Sequence, residues 1–187
     1  RCAIESNSIM ACRTILFRAD ASHGIGHGHV MRCLSLAGGL RSQGDRCLFV
    51  CQKLAGDAMP LIEKAGFQAI PLWTNVAAHL NAHDEIRCIA KALGAENKAD
   101  WLIADHYLID HKWESASKTI ANRIMVIDDL ANRSHSCDLL LDQNLGRKST
   151  DYRKLVSNHT KLLIGPQYAL LRPEFHQHRL DSIGRRK

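Results

Sequence analysis

The chain has 187 residues, a net charge of +6 and a hydrophobic fraction of 45%. That is enough apolar material for one sizeable packed domain and excludes bulk disorder. Aromatic residues make up only 5%, too few for the stacking platforms of a single-stranded nucleic-acid binder. No apolar run reaches the length of a signal peptide or a membrane span. The reading is therefore a protein with no membrane and no nucleic-acid partner. Part of the positive charge sits at the end, where Arg172, Arg179, Arg185, Arg186 and Lys187 outnumber Glu174 and Asp181. Such a tail is a solvated basic segment or a preference for an anionic ligand. The seven cysteines form no C-x-x-C pair, and several lie in apolar runs, as expected of free thiols in a reducing, cytoplasmic setting.

In chain order, residues 1–12 read as a tail without periodicity, and Met10 is a candidate natural start. "TILFRAD" (14–20) reads as a strand. Val30, Cys33, Leu34, Ala37 and Leu40 then follow helical spacing to Ser42, and Gly44 stops the helix. "RCLFVCQ" (46–52) is the second strand, "GDAMPLIEKAG" (56–66) a helix and "FQAIPLW" (67–73) the third strand. A helix over 83–93, a strand over 100–106, a helix over 111–121 and strands over 123–129, 137–144 and 161–166 complete the pattern. Short apolar strands alternating with helices predict an α/β fold, a doubly wound, Rossmann-like parallel sheet covered on both faces.

In such sheets ligands bind beyond the carboxyl ends of the strands. The polar strand ends are Arg18 and Asp20, then Asp105-His106-Tyr107, then Asp128-Asp129, then Asp142-Gln143-Asn144. Taken singly, each is as well explained as a turn former or helix cap. Together they mark one rim as a candidate site.

"RADASHGIGHGHVMRCLSLA" (18–37) carries Gly24, Gly26 and Gly28 between the first strand and the first helix. It departs from the dinucleotide fingerprint, because His29 stands at the third glycine and strand two ends in Gln52-Lys53 without an acid. No Walker lysine is present, and the expectation is that no cofactor is used. The turn and the helix N-terminus suit a phosphate. The same positive helix end disfavours imidazolium, which makes His29 a candidate neutral base. His23, His27 and His29 lack carboxylate or cysteine partners at ligand spacing, so no metal is expected.

Four blocks resemble one family: residues 18–37, "DHYLIDHKWE" (105–114), "VIDDLANRSHSCDLLLDQNLG" (126–146) and "GPQYALLRPEF" (165–175). They are similar to the PseG family, the UDP-2,4-diacetamido-2,4,6-trideoxy-β-L-altropyranose hydrolases of pseudaminic acid biosynthesis. The resemblance implies the N-terminal domain of a GT-B, MurG-like architecture over 13–165. Residues 166–187 would then lead as a linker towards a C-terminal UDP-binding domain. It implies a UDP-sugar substrate, attack of water at the anomeric carbon, release of UDP and inversion. His29 would be the base, and Tyr107 would lie near the sugar. Arg18, Asp20, Gly24, Gly26, Gly28, Asp105, Asp128 and Asn144 are the candidate substrate-binding residues, with individual aspartate roles open. The alternatives are half of a GT-B-type glycosyltransferase, or a fragment that folds but is inactive without a second domain. A receiver-type signalling module fits poorly, because strand one leads into a glycine loop rather than an acidic pair.

Overall fold

The computed structural model describes residues 12–72, 82–94, 98–172 and 174–175. Seven strands, β1 (Thr14–Ala19), β2 (Arg46–Gln52), β3 (Gln68–Leu72), β4 (Ala99–Asp105), β5 (Ala121–Ile127), β6 (Leu139–Asp142) and β7 (Lys161–Ile164), form one sheet in the order β3-β2-β1-β4-β5-β6-β7. Every pairing is parallel. Helices α1 (Gly28–Ser42), α2 (Met59–Lys64), α3 (Ala82–Leu93) and α4 (His111–Ser117) connect the first five strands. The order reverses between β1 and β4, which opens a crevice at their carboxyl ends.

Two apolar layers flank the sheet, and strand alternation assigns residues to them. Ile15, Phe17 and Ala19 of β1, with Ile103 of β4, Met125 and Ile127 of β5 and Leu141 of β6, pack with Val30, Cys33 and Ala37 of α1. Leu16, Leu102, Ala104, Ile124, Val126 and Leu140 pack on the other face with Ile86 and Ile89 of α3 and Trp113 of α4. Beyond α1, a groove of about 390 Å³ remains on its side of the sheet, lined by residues such as Trp101, Met125, Leu141 and Leu163.

Several helices and strands are shorter than the sequence pattern suggests. Helix α2 occupies 59–64 rather than 56–66. Gly56 takes φ +77° and Asp57 accepts from Met59 N–H at 3.0 Å, so a turn fills the expected first residues. Helix α4 ends at Ser117, and Ala121 is already paired with Ala99 in the sheet. Its start is fixed by Asp110, whose carboxylate accepts from Lys112 and Trp113 N–H. Strand β6 covers 139–142 of the expected 137–144. Residues 1–11, the expected strand end Trp73-Thr74 and the basic tail from residue 176 lie outside the described residues. Among the described residues no helix is long and apolar enough to cross a membrane.

Candidate functional site

The loop from β1 to α1 turns on itself at Ser22, whose carbonyl accepts from Gly26 N–H at 2.8 Å and whose hydroxyl accepts from Ile25 N–H at 3.0 Å. Gly26 takes φ +79°, a conformation that costs a side chain strain. Gly28 has open space around it, and a side chain at Gly24 would meet only the Ser22 hydroxyl at 3.9 Å. His23 and His27 are exposed, whereas His29, one residue into α1, is buried. Among the described residues no three His, Cys, Asp or Glu side chains converge as a metal site.

His29 is built into a charged cluster at the crevice. Its Nδ1 lies 2.7 Å from Oδ1 of Asp105, the last residue of β4. Arg32, one turn along α1 on the same face, donates from Nε to Asp105 Oδ2 at 2.5 Å and from Nη2 to Oδ1 at 2.5 Å. Its third nitrogen, Nη1, donates to Asp129 Oδ2 at 2.7 Å. Burial opposes the charge of this guanidinium, but the hydrogen bonds and charge of Asp105, then Asp129, outweigh it and raise its affinity for the proton. Arg32 Nη2 also lies 3.3 Å from His29 Nδ1, but the Asp105 contact is much the shorter, and a carboxylate gripped by a guanidinium only accepts; that contact favours the His29 proton on Nδ1, with Nε2 as an acceptor. Tyr107 stands edge-on to the imidazole, with ring centroids 4.5 Å apart and planes at 83°. Ile25, Gly28, His29, Arg32, Tyr107, Asp129 and Gln143 line an open cleft of about 310 Å³. The 390 Å³ groove is larger, but Arg13 is its one charged lining residue, so the smaller cleft holds the convergent chemistry.

The other candidates sit elsewhere. Arg18 and Asp20 point to the opposite face of the sheet. Arg18 is completely buried, donating to Asp20 at 2.6 Å and to both oxygens of Glu85 at 3.2 Å, while Trp113 Nε1 donates to Glu85 at 3.1 Å. Asp20 also accepts from Gln52 N–H at 2.7 Å and faces His106 Nε2 at 3.2 Å. Asp128 is buried among Ala131 N–H, Arg133 and the Tyr152 hydroxyl, whose oxygen also lies 2.8 Å from Asp142. These three residues thus stand in internal networks rather than in the cleft, because alternation turns them away from α1. Asn144 is exposed behind Asp129, donating to its carbonyl at 3.3 Å. The sequence reading did not single out Arg32, and it named Asp129 and Gln143 as polar strand ends without choosing them as candidate ligands. Arg32 was findable as the residue three positions after His29 on a helix, and Asp129 as the unchosen member of an acidic pair.

A parallel sheet in this order, with its polar cluster at the reversal point, defines a doubly wound, Rossmann-like domain. The crystal structure of Acinetobacter baumannii MurG superposes with a TM-score of 0.54 at 10% identity, over 82% of this chain and 45% of that one, and this likeness concerns the fold. Sequence comparison agrees with the resemblance read from the four blocks. The chain is 34% identical over 164 residues to the UDP-2,4-diacetamido-2,4,6-trideoxy-β-L-altropyranose hydrolase of Campylobacter jejuni, covering 87% of this chain and 53% of that enzyme. An uncharacterized protein of Methanocaldococcus jannaschii is 26% identical over 171 residues, covering 90% of this chain and 33% of its own. The chain thus spans about half the length, or less, of the curated relatives it matches. No family model matches.

Proposed function

We propose that this chain supplies the catalytic wall of a UDP-sugar hydrolase acting on a 2,4-diacetamido-2,4,6-trideoxy sugar, in pseudaminic acid biosynthesis. The single observation that carries the reading is the His29–Asp105 pair, with its outer nitrogen free beside Tyr107 in an open cleft. The hydrolase from Campylobacter jejuni supports the substrate class.

In this reading water attacks the anomeric carbon from the face opposite UDP. A C–O bond forms to the water oxygen as the bond to the phosphate oxygen breaks. UDP departs with that electron pair, and the configuration inverts. Nε2 of His29 takes the water proton while Nδ1–H stays on Asp105, which stabilises the imidazolium as it forms. A nucleoside diphosphate is a good leaving group, so no strong acid is required. The base supplies about 10²–10⁴-fold, and positioning and phosphate donors supply the rest. The glycine turn and the N-terminus of α1 suit the diphosphate. The proposal assigns turnover to the whole enzyme, in which a second domain closes the cleft.

The test is turnover in ¹⁸O-water with anomer analysis by NMR. The proposal expects label on the sugar, none on UDP, and the inverted anomer first. Label on UDP, or transfer to a sugar acceptor instead of water, overturns it.

A further inference from the structure

We propose that Arg133 is a positioning residue: it fixes the turn that holds Tyr107 against His29. This rests on the hydrolase reading above, since it names what sets the geometry of the same cleft.

Tyr107 lies on a tight turn, closed by Ile109 N–H donating to the His106 carbonyl at 3.3 Å. The turn has little packing of its own. Tyr107 is 45% and Leu108 75% exposed; Ile109 is sunk in the core of the α3–α4 side, and His106 is buried against Asp20. A turn so placed keeps its shape only if its polar groups are held. One side chain holds the carbonyls at both ends. Arg133 donates from Nη2 to the His106 carbonyl at 3.1 Å and from Nε to the Ile109 carbonyl at 2.8 Å, gripping both ends of the turn. Its remaining nitrogen, Nη1, donates to Asp128 Oδ1 at 2.8 Å.

The clamp is itself anchored. Asp128 is buried at the end of β5 and accepts from Ala131 N–H at 2.8 Å and from the Tyr152 hydroxyl at 2.9 Å. Ala131 has φ +51°, the one positive value at a residue other than glycine among the described residues. That left-handed residue folds the loop back so that Arg133 reaches the β4 turn. The His106 side chain adds a second hold: Nδ1 accepts from Leu108 N–H at 3.1 Å and Nε2 faces Asp20 at 3.2 Å. Three acceptors in three directions match the rigid guanidinium fork and no other side chain. The geometry therefore couples the end of β5 to the ring contact on His29.

A structural staple would lower stability and leave the His29–Tyr107 contact intact, so the test reads that contact directly. Histidine-labelled protein is compared by NMR as wild type, Arg133→Gln, Arg133→Lys and Tyr107→Leu, with His29 assigned through His29→Gln. Tyr107→Leu reports the His29 ring signals without the tyrosine ring current. The proposal expects Arg133→Gln to move those signals towards the Tyr107→Leu positions and Arg133→Lys to move them part of the way. In hydrolysis of the UDP-sugar by the full enzyme, Arg133→Gln should lower kcat by about 10²-fold with a small change in KM, the cost of a misplacement near 1 Å. Added to Tyr107→Leu it should cost little more. If Arg133→Gln does not fold, Arg133→Lys is read the same way. Unmoved His29 signals, or additive kinetic losses, overturn the assignment. If the wild-type enzyme shows no hydrolysis, the functional reading fails separately and the NMR comparison still decides the role of Arg133.

Discussion

The imidazole of His29 and the carboxylate of Asp105, 76 residues apart in sequence, meet at 2.7 Å where the strand order reverses. The pairing leaves Nε2 free, and it leaves Asp105 independently satisfied by Arg32. His29→Ala in the full enzyme is therefore expected to lower sugar release by about 10²–10⁴-fold. The structure buries His29, so a stability loss of about 1–3 kcal/mol accompanies the change. UDP titration and circular dichroism should show the fold and nucleotide binding retained. Near-normal turnover would remove His29 from the mechanism.

Asp105→Asn separates orientation from shape. The amide fills the same space but can present its NH₂ to His29 Nδ1, which favours the tautomer with the proton on Nε2. Turnover is expected to fall by about 10²–10⁴-fold. Stability should fall as well, by about 3 kcal/mol, because Arg32 loses its paired carboxylate in a mostly buried place. Kinetics at temperatures well below the melting midpoint distinguish the two losses. A variant with lowered stability but intact kcat would show that Asp105 serves Arg32 alone.

The strand–helix alternation was legible in the sequence, and so was the polar rim. Which of two neighbouring rim residues faces the cleft was not. In β1, β4, β5 and β6 both faces are apolar, so no hydrophobic alternation reveals which parity lies under α1. The structure supplies it: Asp105, Tyr107, Asp129 and Gln143 follow the parity of the α1 layer, and Arg18, Asp20, Asp128 and Asp142 follow the other. The glycine–histidine loop was readable because its position before a helix is local information. The Arg32 fork was not read, because its partners Asp105 and Asp129 lie 73 and 97 residues away.

Arg18 provides a direct test of that parity. Burial opposes its charge, and Asp20 and Glu85 hold it firmly protonated. Arg18→Met would leave two buried carboxylates without their cation, an expected cost of about 3–5 kcal/mol. UDP affinity, measured by calorimetry while the protein is folded, should be unchanged. Weaker UDP binding at unchanged stability would return Arg18 to the ligand.

The thiols should divide by burial. Cys12 and Cys88 are exposed, whereas Cys33, Cys47, Cys51 and Cys137 are buried, and all six are unpaired. Burial pushes the Cys47 thiol up to about 11 and those of Cys51 and Cys137 to about 12. At pH 8, iodoacetamide mapping by mass spectrometry should find Cys12 and Cys88 modified first, and the other four only after denaturation. Early modification of Cys51 or Cys137 in folded protein would contradict their packing.

Acid stability follows from the same buried carboxylates. Burial raises the Asp128 carboxyl, but Ala131 N–H, Arg133, the Tyr152 hydroxyl and His135 outweigh it and hold it below its ordinary value. Asp20 is held lower still, with burial opposed by Arg18 and His106. A carboxyl depressed on folding stabilises the native state fully above its unfolded value and loses that contribution as pH falls through the folded value. Both groups thus predict a plateau above about pH 5 and a progressive loss below about pH 4. Asp128→Asn, which cannot carry the charge that holds Arg133, should lower stability at pH 7 and flatten the acid limb. Urea melts between pH 2.5 and pH 7, taken as steps of about half a unit across the carboxylate range, read both effects. An acid limb equally steep in Asp128→Asn would mean that protons are taken up elsewhere on unfolding, and that the Asp128 network contributes no charge-dependent stability.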